Sequence, residues 1–135
     1  KVIKFRILVI IMKLLFVCVG NSCRSQMAEA IANESGYYAE SAGTRPNNMV
    51  SNNARLALDE LGINTSNLYP KSVDQIDSDG FDMIISMGCG VECPALPIDL
   101  DWELDDPEGK DMNFFRETRD KIVNLISELS KQTDA

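Results

Sequence analysis

Apolar residues in this chain alternate between short unbroken runs and longer stretches at helical spacing. Residues 14–19 form one such run, ended by Gly20, which suits a strand buried on both faces of a parallel sheet. Residues 26–35 then place Met27, Ala28, Ala30 and Ile31 at helical spacing, with Gly36 as the stop signal. A second short strand is predicted at 37–41, closed by a turn over 42–46. A second helix at 50–61 has Ala54, Leu56, Ala57, Leu58 and Leu61 as its buried stripe and Gly62 as its terminator. Ser72 reads as the N-cap of a short third helix with Ile76 facing inward. Strands follow at 81–87 and 97–104, and a last helix at 112–131 presents Phe115, Ile122, Val123, Ile126 and Leu129 to the core. This alternation predicts a single three-layer α/β domain: a four-stranded parallel sheet with helices on both faces, whose ligands sit at the carboxyl ends of the strands.

Composition narrows the function. The 135 residues, 44% of them hydrophobic, suffice for one core. Thirteen basic against twenty-one acidic residues give a net charge of −8, so neither nucleic acid nor an anionic membrane is expected as a partner. No histidine is present, which excludes Ser-His-Asp and Cys-His catalysis and histidine metal sites. Lys1, Lys4 and Arg6 before the apolar residues 7–12 have the look of a secretory leader, but Lys13 interrupts the run and no small-residue cleavage site follows. The domain is therefore expected over 12–135, with 1–11 an N-terminal extension given no role. No stretch of about 18 uncharged apolar residues marks a membrane helix. A cytoplasmic protein with reduced thiols, acting as a monomer, is the expectation.

The chemistry lies in the segment Cys18-Val19-Gly20-Asn21-Ser22-Cys23-Arg24-Ser25, between the first strand and the first helix. A tetrahedral anion needs several converging donors, and a tight loop at a helix N-terminus supplies backbone N–H groups for it. Gly20 is expected to relieve the curve, and Arg24 to grip two oxygens of the anion with its planar fork. The same groups would stabilise a Cys18 thiolate and lower its pKa, replacing the missing histidine. Ser25 is placed to donate to the sulfur and Asn21 to brace the loop. The four cysteines fit a zinc knuckle poorly, since Cys18 and Cys23, and Cys89 and Cys93, are spaced too widely for the common C-x2-C pair.

The string LLFVCVGNSCRSQMAEA, the SAGT turn at residues 41–44, the loop MGCGVECP and the later DWELDDPEGK together resemble arsenate reductases built on the low-molecular-weight protein tyrosine phosphatase fold. The resemblance covers nearly the whole chain from Met12. It implies that Cys18 is the nucleophile attacking arsenate, for which phosphate or sulfate are analogues. Residues Val19, Gly20, Asn21, Ser22, Cys23, Arg24 and Ser25 would form the substrate-binding loop, with Asp106 as the general acid. Asp106 belongs to the acidic run Asp101, Glu103, Asp105, Asp106 and Glu108. The neighbouring Pro107 favours it over Asp105 by fixing the local backbone.

Cys89 and Cys93 separate the functional readings. A phosphatase needs one cysteine and water, whereas a reductase must pass two electrons through further thiols. The order expected is attack on arsenate by Cys18, attack on the adduct by Cys89 with release of arsenite, then resolution of the Cys18–Cys89 disulfide by Cys93. The Cys89–Cys93 disulfide is left for thioredoxin or a low-molecular-weight thiol, the spacing being tighter than in thioredoxin-coupled relatives. Cys23 is expected to pack the loop, with a protective disulfide to Cys18 as the alternative. No organic cofactor is expected. Some members of the resembled family bind potassium through a Glu on the first helix, a Ser in the SAG turn and a later Asp, which fall here on Glu29, Ser41 and Asp74. The alternatives are a tyrosine phosphatase, disfavoured because residues 44–53 hold no aromatic ring for a phenyl group, and a noncatalytic oxyanion or thiol-redox sensor.

Overall fold

A computed structural model describes residues 11–88 and 96–133. Within them the strands β1 (Lys13–Cys18), β2 (Tyr38–Gly43), β3 (Met83–Ser86) and β4 (Leu100–Asp101) form one sheet in the order β2-β1-β3-β4, all neighbours parallel. The helices are α1 (Arg24–Glu34), α2 (Asn52–Asp59) and α3 (Met112–Thr133). Central β1 is apolar on both sides because each side meets a core. Leu14, Phe16 and Cys18 join residues of all three helices, and Leu15 and Val17 join Ala42 and Ile84 on the opposite face. The second face is closed among the described residues by Val73, Ile76, Phe81, Leu96 and Ile98, where short 3-10 turns at Val73–Gln75 and Ser78–Gly80 stand in place of a longer helix. Ser72 caps the first of these turns reciprocally with Gln75, so the cap predicted there is present although the helix is only one turn long. No helix among the described residues is long and apolar enough to cross a membrane.

The elements differ from the sequence reading where the chain lies at the edge of a helical stripe or of the sheet. β4 is two residues, not the eight of 97–104, because it pairs on one side only, with β3. β2 continues through Gly43, so the SAG residues are strand rather than turn. Leu56 is 43% exposed, since it lies about 200° around α2 from Ala54. Leu61 is 44% exposed because α2 has ended by then, and Val123 is 37% exposed at the margin of the stripe set by Ile122, Ile126 and Leu129. Gly62, at φ +74°, closes α2, with the Ile63 N–H bonded back to the Leu58 carbonyl.

Just past α2, Glu60 binds α3 by two arginines. Arg116 donates to it through Nε and Nη2 at 2.8–3.0 Å, and Arg119 through Nη1 at 2.6 Å. Hydrogen bonds from Arg116, then from Arg119, lower the Glu60 pKa from 4.5 to about 2. A depressed carboxylate contributes stability above its unfolded pKa and loses it as pH falls toward the folded value. Glu60→Gln is expected to melt below the wild type at neutral pH. The gap should shrink as pH drops from about 4.5 toward about 2 in paired thermal melts. An unchanged gap across that range would contradict the ionic character of the contact.

Candidate active site

β1 carries Cys18 to the carboxyl edge of the sheet, and residues 19–23 turn back before α1 begins at Arg24. Each carbonyl of this turn has a donor waiting outside the concavity. The carbonyls of Cys18, Val19 and Gly20 accept from the N–H groups of Thr44 (3.2 Å), Arg45 (2.9 Å) and Asn47 (2.8 Å). Those of Asn21, Ser22 and Cys23 accept from Gln26 Nε2 (3.0 Å), Ser51 N–H (2.9 Å) and Met27 N–H (3.0 Å). In a planar trans peptide the carbonyl and the following N–H point opposite ways, so this outward anchoring turns the loop amides inward. The N–H groups of Gly20, Ser22 and Cys23 meet no protein acceptor among the described residues. The N-terminus of α1 adds to the field: no side chain caps it and its first turn carries no acid.

These groups line a cavity of about 570 Å³, shared with Arg45, Asn47, Gly88, Leu104, Asp105, Asp106 and Glu108. No aromatic side chain lines it among the described residues. The left-handed residue of the loop is Asn21, at φ +48°, where the sequence had suggested Gly20. Gly20 faces Asn47 instead, whose amide nitrogen would lie 2.8 Å from any Cβ placed there. Gly43 is fixed by a closer approach, since a Cβ at this end of β2 would lie 2.4 Å from the Val19 carbonyl oxygen.

Cys18 Sγ is 2.8 Å from Ser25 Oγ and accepts from the Asn21 N–H at 3.1 Å. The Asn21 side chain settles which way these bonds run. Its Nδ2 donates to Ser25 Oγ (2.8 Å) and to Ser41 Oγ (2.9 Å), and its Oδ1 accepts from Lys71 N–H (2.8 Å) and Gln26 Nε2 (3.1 Å). With a lone pair of Ser25 filled by Asn21, the Ser25 hydroxyl is free to donate to the sulfur. Burial nevertheless pushes the Cys18 thiol up from its ordinary value, against the Ser25 hydroxyl, the Asn21 N–H and the Arg24 charge, which pull it down. This reverses the lowered pKa expected from sequence: Cys18 as a residue is only 4% exposed, and the thiol's lost hydration exceeds those contacts. Cys23 is also raised, chiefly by burial, and its sulfur lies 3.7 Å from Ser22 Oγ.

Arg24 is 8% exposed and is anchored by Nη1, which donates to the carbonyls of Met87 and Leu104, both at 2.7 Å. Its Nη2 lies 3.9 Å from Asp106 Oδ2, while Nε and Nη2 meet no hydrogen-bond acceptor among the described residues. Asp106 is half-exposed at the mouth, where its Oδ1 accepts from the Glu108 N–H at 3.0 Å. Cys18 to Arg24 and Asp106 thus share one cavity. Ser25 lies beneath the sulfur and does not line it, and Cys89 and Cys93 are outside the described residues. Glu29 and Ser41 meet, with Ser41 Oγ donating to Glu29 Oε1 at 2.8 Å, whereas Asp74 is exposed in its 3-10 turn. Sequence reasoning missed Gln26 and Lys71, which hold the Asn21 amide, and Arg45 and Asn47 on the rim. Gln26 left a trace, being a long polar residue in an otherwise small-residue helix.

Comparison with known proteins agrees with this fold. The family model described as low molecular weight phosphotyrosine protein phosphatase matches residues 13–94. A glutaredoxin arsenate reductase from Synechocystis is 35% identical over 129 residues, covering 87% of this chain and 98% of the relative. A solved arsenate reductase in the phosphate binding state superposes with a TM-score of 0.82 at 33% identity, covering 90% of this chain and 98% of the other. A low molecular weight protein tyrosine phosphatase from T. tengcongensis gives a TM-score of 0.78 at 28% identity, with 90% and 99% covered.

Two substitutions test the loop. Ser25→Ala removes the hydroxyl donor and is expected to slow iodoacetamide alkylation of Cys18 at neutral pH by about tenfold, a charge-assisted hydrogen bond being worth roughly 1.5–3 kcal/mol. An unchanged alkylation rate would remove the hydroxyl from the account. Gly43→Ala is expected to destabilise the fold by roughly 1–3 kcal/mol in urea melts, as overpacking does, and to weaken phosphate binding with it. Wild-type stability would show that the loop yields to the added methyl.

Proposed function

Because the chain belongs to the low molecular weight phosphotyrosine protein phosphatase family, we propose that it is the arsenate-reducing kind of member, converting arsenate to arsenite through a Cys18 adduct. The observation that carries this reading is the set of inward loop amides around a cysteine sulfur, in a cavity that has no aromatic wall among the described residues. Such a cavity suits a small tetrahedral oxyanion better than a phenyl ester. The curated relative and the solved structure named arsenate reductase, each matched over most of its length, favour the same choice.

In this mechanism the Cys18 thiol gives its proton to the incoming arsenate dianion and attacks the arsenic as the thiolate, the anion held by the loop amides and by the free Nε and Nη2 edge of Arg24. Asp106 protonates the departing oxygen, which leaves as water. Cys89 then attacks Cys18 Sγ, and the As–S electron pair leaves with arsenic, so As(V) becomes As(III) as the Cys18–Cys89 disulfide forms. Cys93 attacks Cys89 and frees Cys18. The resulting Cys89–Cys93 disulfide takes two electrons from thioredoxin or a low-molecular-weight thiol. The glutaredoxin in the Synechocystis relative's name favours the second donor. Such a relay works in a reducing compartment, the cytoplasm, where it would detoxify arsenic.

The test is arsenite release measured with thioredoxin and, separately, glutathione with glutaredoxin as donor. Cys18→Ser is expected to abolish even a single turnover, and Cys93→Ser to keep one turnover and lose the rest. Asp106→Asn should lower the rate by roughly 10²–10⁴-fold, the usual span for a general acid. Brisk cleavage of a phosphotyrosine peptide with no arsenite formed would overturn the reading in favour of a phosphatase.

A further inference from the structure

Glu29 and Lys71 form a buried ion pair behind the nucleophile loop, and nothing in the mechanism above uses it. Both residues are 7% exposed, with Lys71 Nζ 3.2 Å from Glu29 Oε1. The ammonium also lies 3.4 Å from the Tyr69 carbonyl and 4.5 Å from the centroid of the Tyr69 ring. A buried pair of this kind is weak support for stability alone, because desolvation offsets most of its attraction. Its position suggests another use. Glu29 Oε1 also accepts from Ser41 Oγ, Ser41 accepts from Asn21 Nδ2, and Asn21 donates to Ser25, which donates to Cys18 Sγ.

The direction of every link follows from the ionic end. A carboxylate only accepts hydrogen bonds, so Ser41 must spend its proton on Glu29 and present a lone pair to Asn21. That presents Nδ2, not Oδ1, to Ser25, and the Ser25 proton is left for the sulfur. The Lys71 backbone N–H fixes the same amide from the other side by bonding Asn21 Oδ1 at 2.8 Å.

Some members of the resembled family place potassium at the Glu and Ser that fall here on Glu29 and Ser41. The residues here do not fit that ion. The Lys71 ammonium already holds the Glu29 oxygen to which Ser41 donates, and Asp74, the third expected ligand, is exposed in a turn where its own N–H bonds Ser72 Oγ. We propose that the Lys71 ammonium is a built-in monovalent cation for this loop, a positioning residue that makes Cys18 reactivity independent of potassium. The arsenate-reductase reading enters only the turnover arm of the test. Alkylation of Cys18 reads the loop whatever the substrate.

The experiment compares iodoacetamide alkylation of Cys18, and kcat and KM for arsenate, in potassium chloride and in tetramethylammonium chloride at matched ionic strength. The wild type should give the same values in both salts. Lys71→Met should lose about tenfold in alkylation rate and in kcat in the tetramethylammonium salt, the loss expected when one charged hydrogen-bond partner is removed, and should recover in potassium. Lys71→Arg should hold the wild-type values in both. Several-fold stimulation of the wild type by potassium would overturn the proposal, and that comparison needs no variant, so it decides even if Lys71→Met fails to fold. Full reactivity of Lys71→Met without potassium, or a loss that potassium does not relieve, would overturn it as well. Failure of arsenate turnover in every salt with alkylation behaving as described would count against the function and leave the cation role standing.

Discussion

The outward anchoring of six consecutive carbonyls, from Cys18 to Cys23, is the constraint on which the site depends. A tight turn has as many acceptors as donors, and it binds an anion only if the acceptors are occupied elsewhere. Here the segment after β2 takes three carbonyls, the entry to α2 takes one, and α1 takes two through Gln26 and Met27. The sheet order places β2 directly beside β1, which is why the SAG strand can run on into the Thr44–Asn47 donors. The close approach of Gly43 to Val19 follows from the same arrangement.

Behind the loop, polarity is as important as position. The Asn21 amide stands between two hydroxyls and two N–H donors, and its orientation decides whether Ser25 gives or takes a proton at the sulfur. Burial holds the thiol up, and the contacts from Ser25, Asn21 and Arg24 work against it. Directed hydrogen bonds from Ser25 and Asn21 are therefore what favour the thiolate of a sulfur that lines the cavity. That division of labour is intelligible in a chain with no histidine to act as base.

Much of this was legible beforehand because short-range rules carried it. The apolar run of β1, the small residues of α1 and the C-x5-R spacing all depend on neighbours within a few positions. The less legible features were set at long range. Lys71 is fifty residues from Asn21, and nothing around it in the chain marks it as the partner of the Cys18 loop. The left-handed residue fell on Asn21 because its side chain is held from both sides, whereas Gly20 is needed for space against Asn47. Leu56 and Val123 look like core residues by composition, and only the phase of their helices turns them outward. Cys89 and Cys93, which argue most for a reductase in the sequence, lie outside the described residues, so the relay rests on the sequence reading of those two cysteines alone.

The central claim is that the backbone amides of Gly20, Ser22 and Cys23 converge on a tetrahedral oxyanion, while the Asn21 amide holds the Cys18 sulfur. Amide chemical shifts followed by nitrogen-15 NMR during a phosphate titration test it most directly. The account predicts that the amides of Gly20, Ser22 and Cys23 shift together and saturate along one binding curve, with the Arg24 side-chain Nε–H moving on the same curve. If those amides stayed still while resonances elsewhere on the surface moved, the loop would not be the oxyanion site and the account would fail at its base.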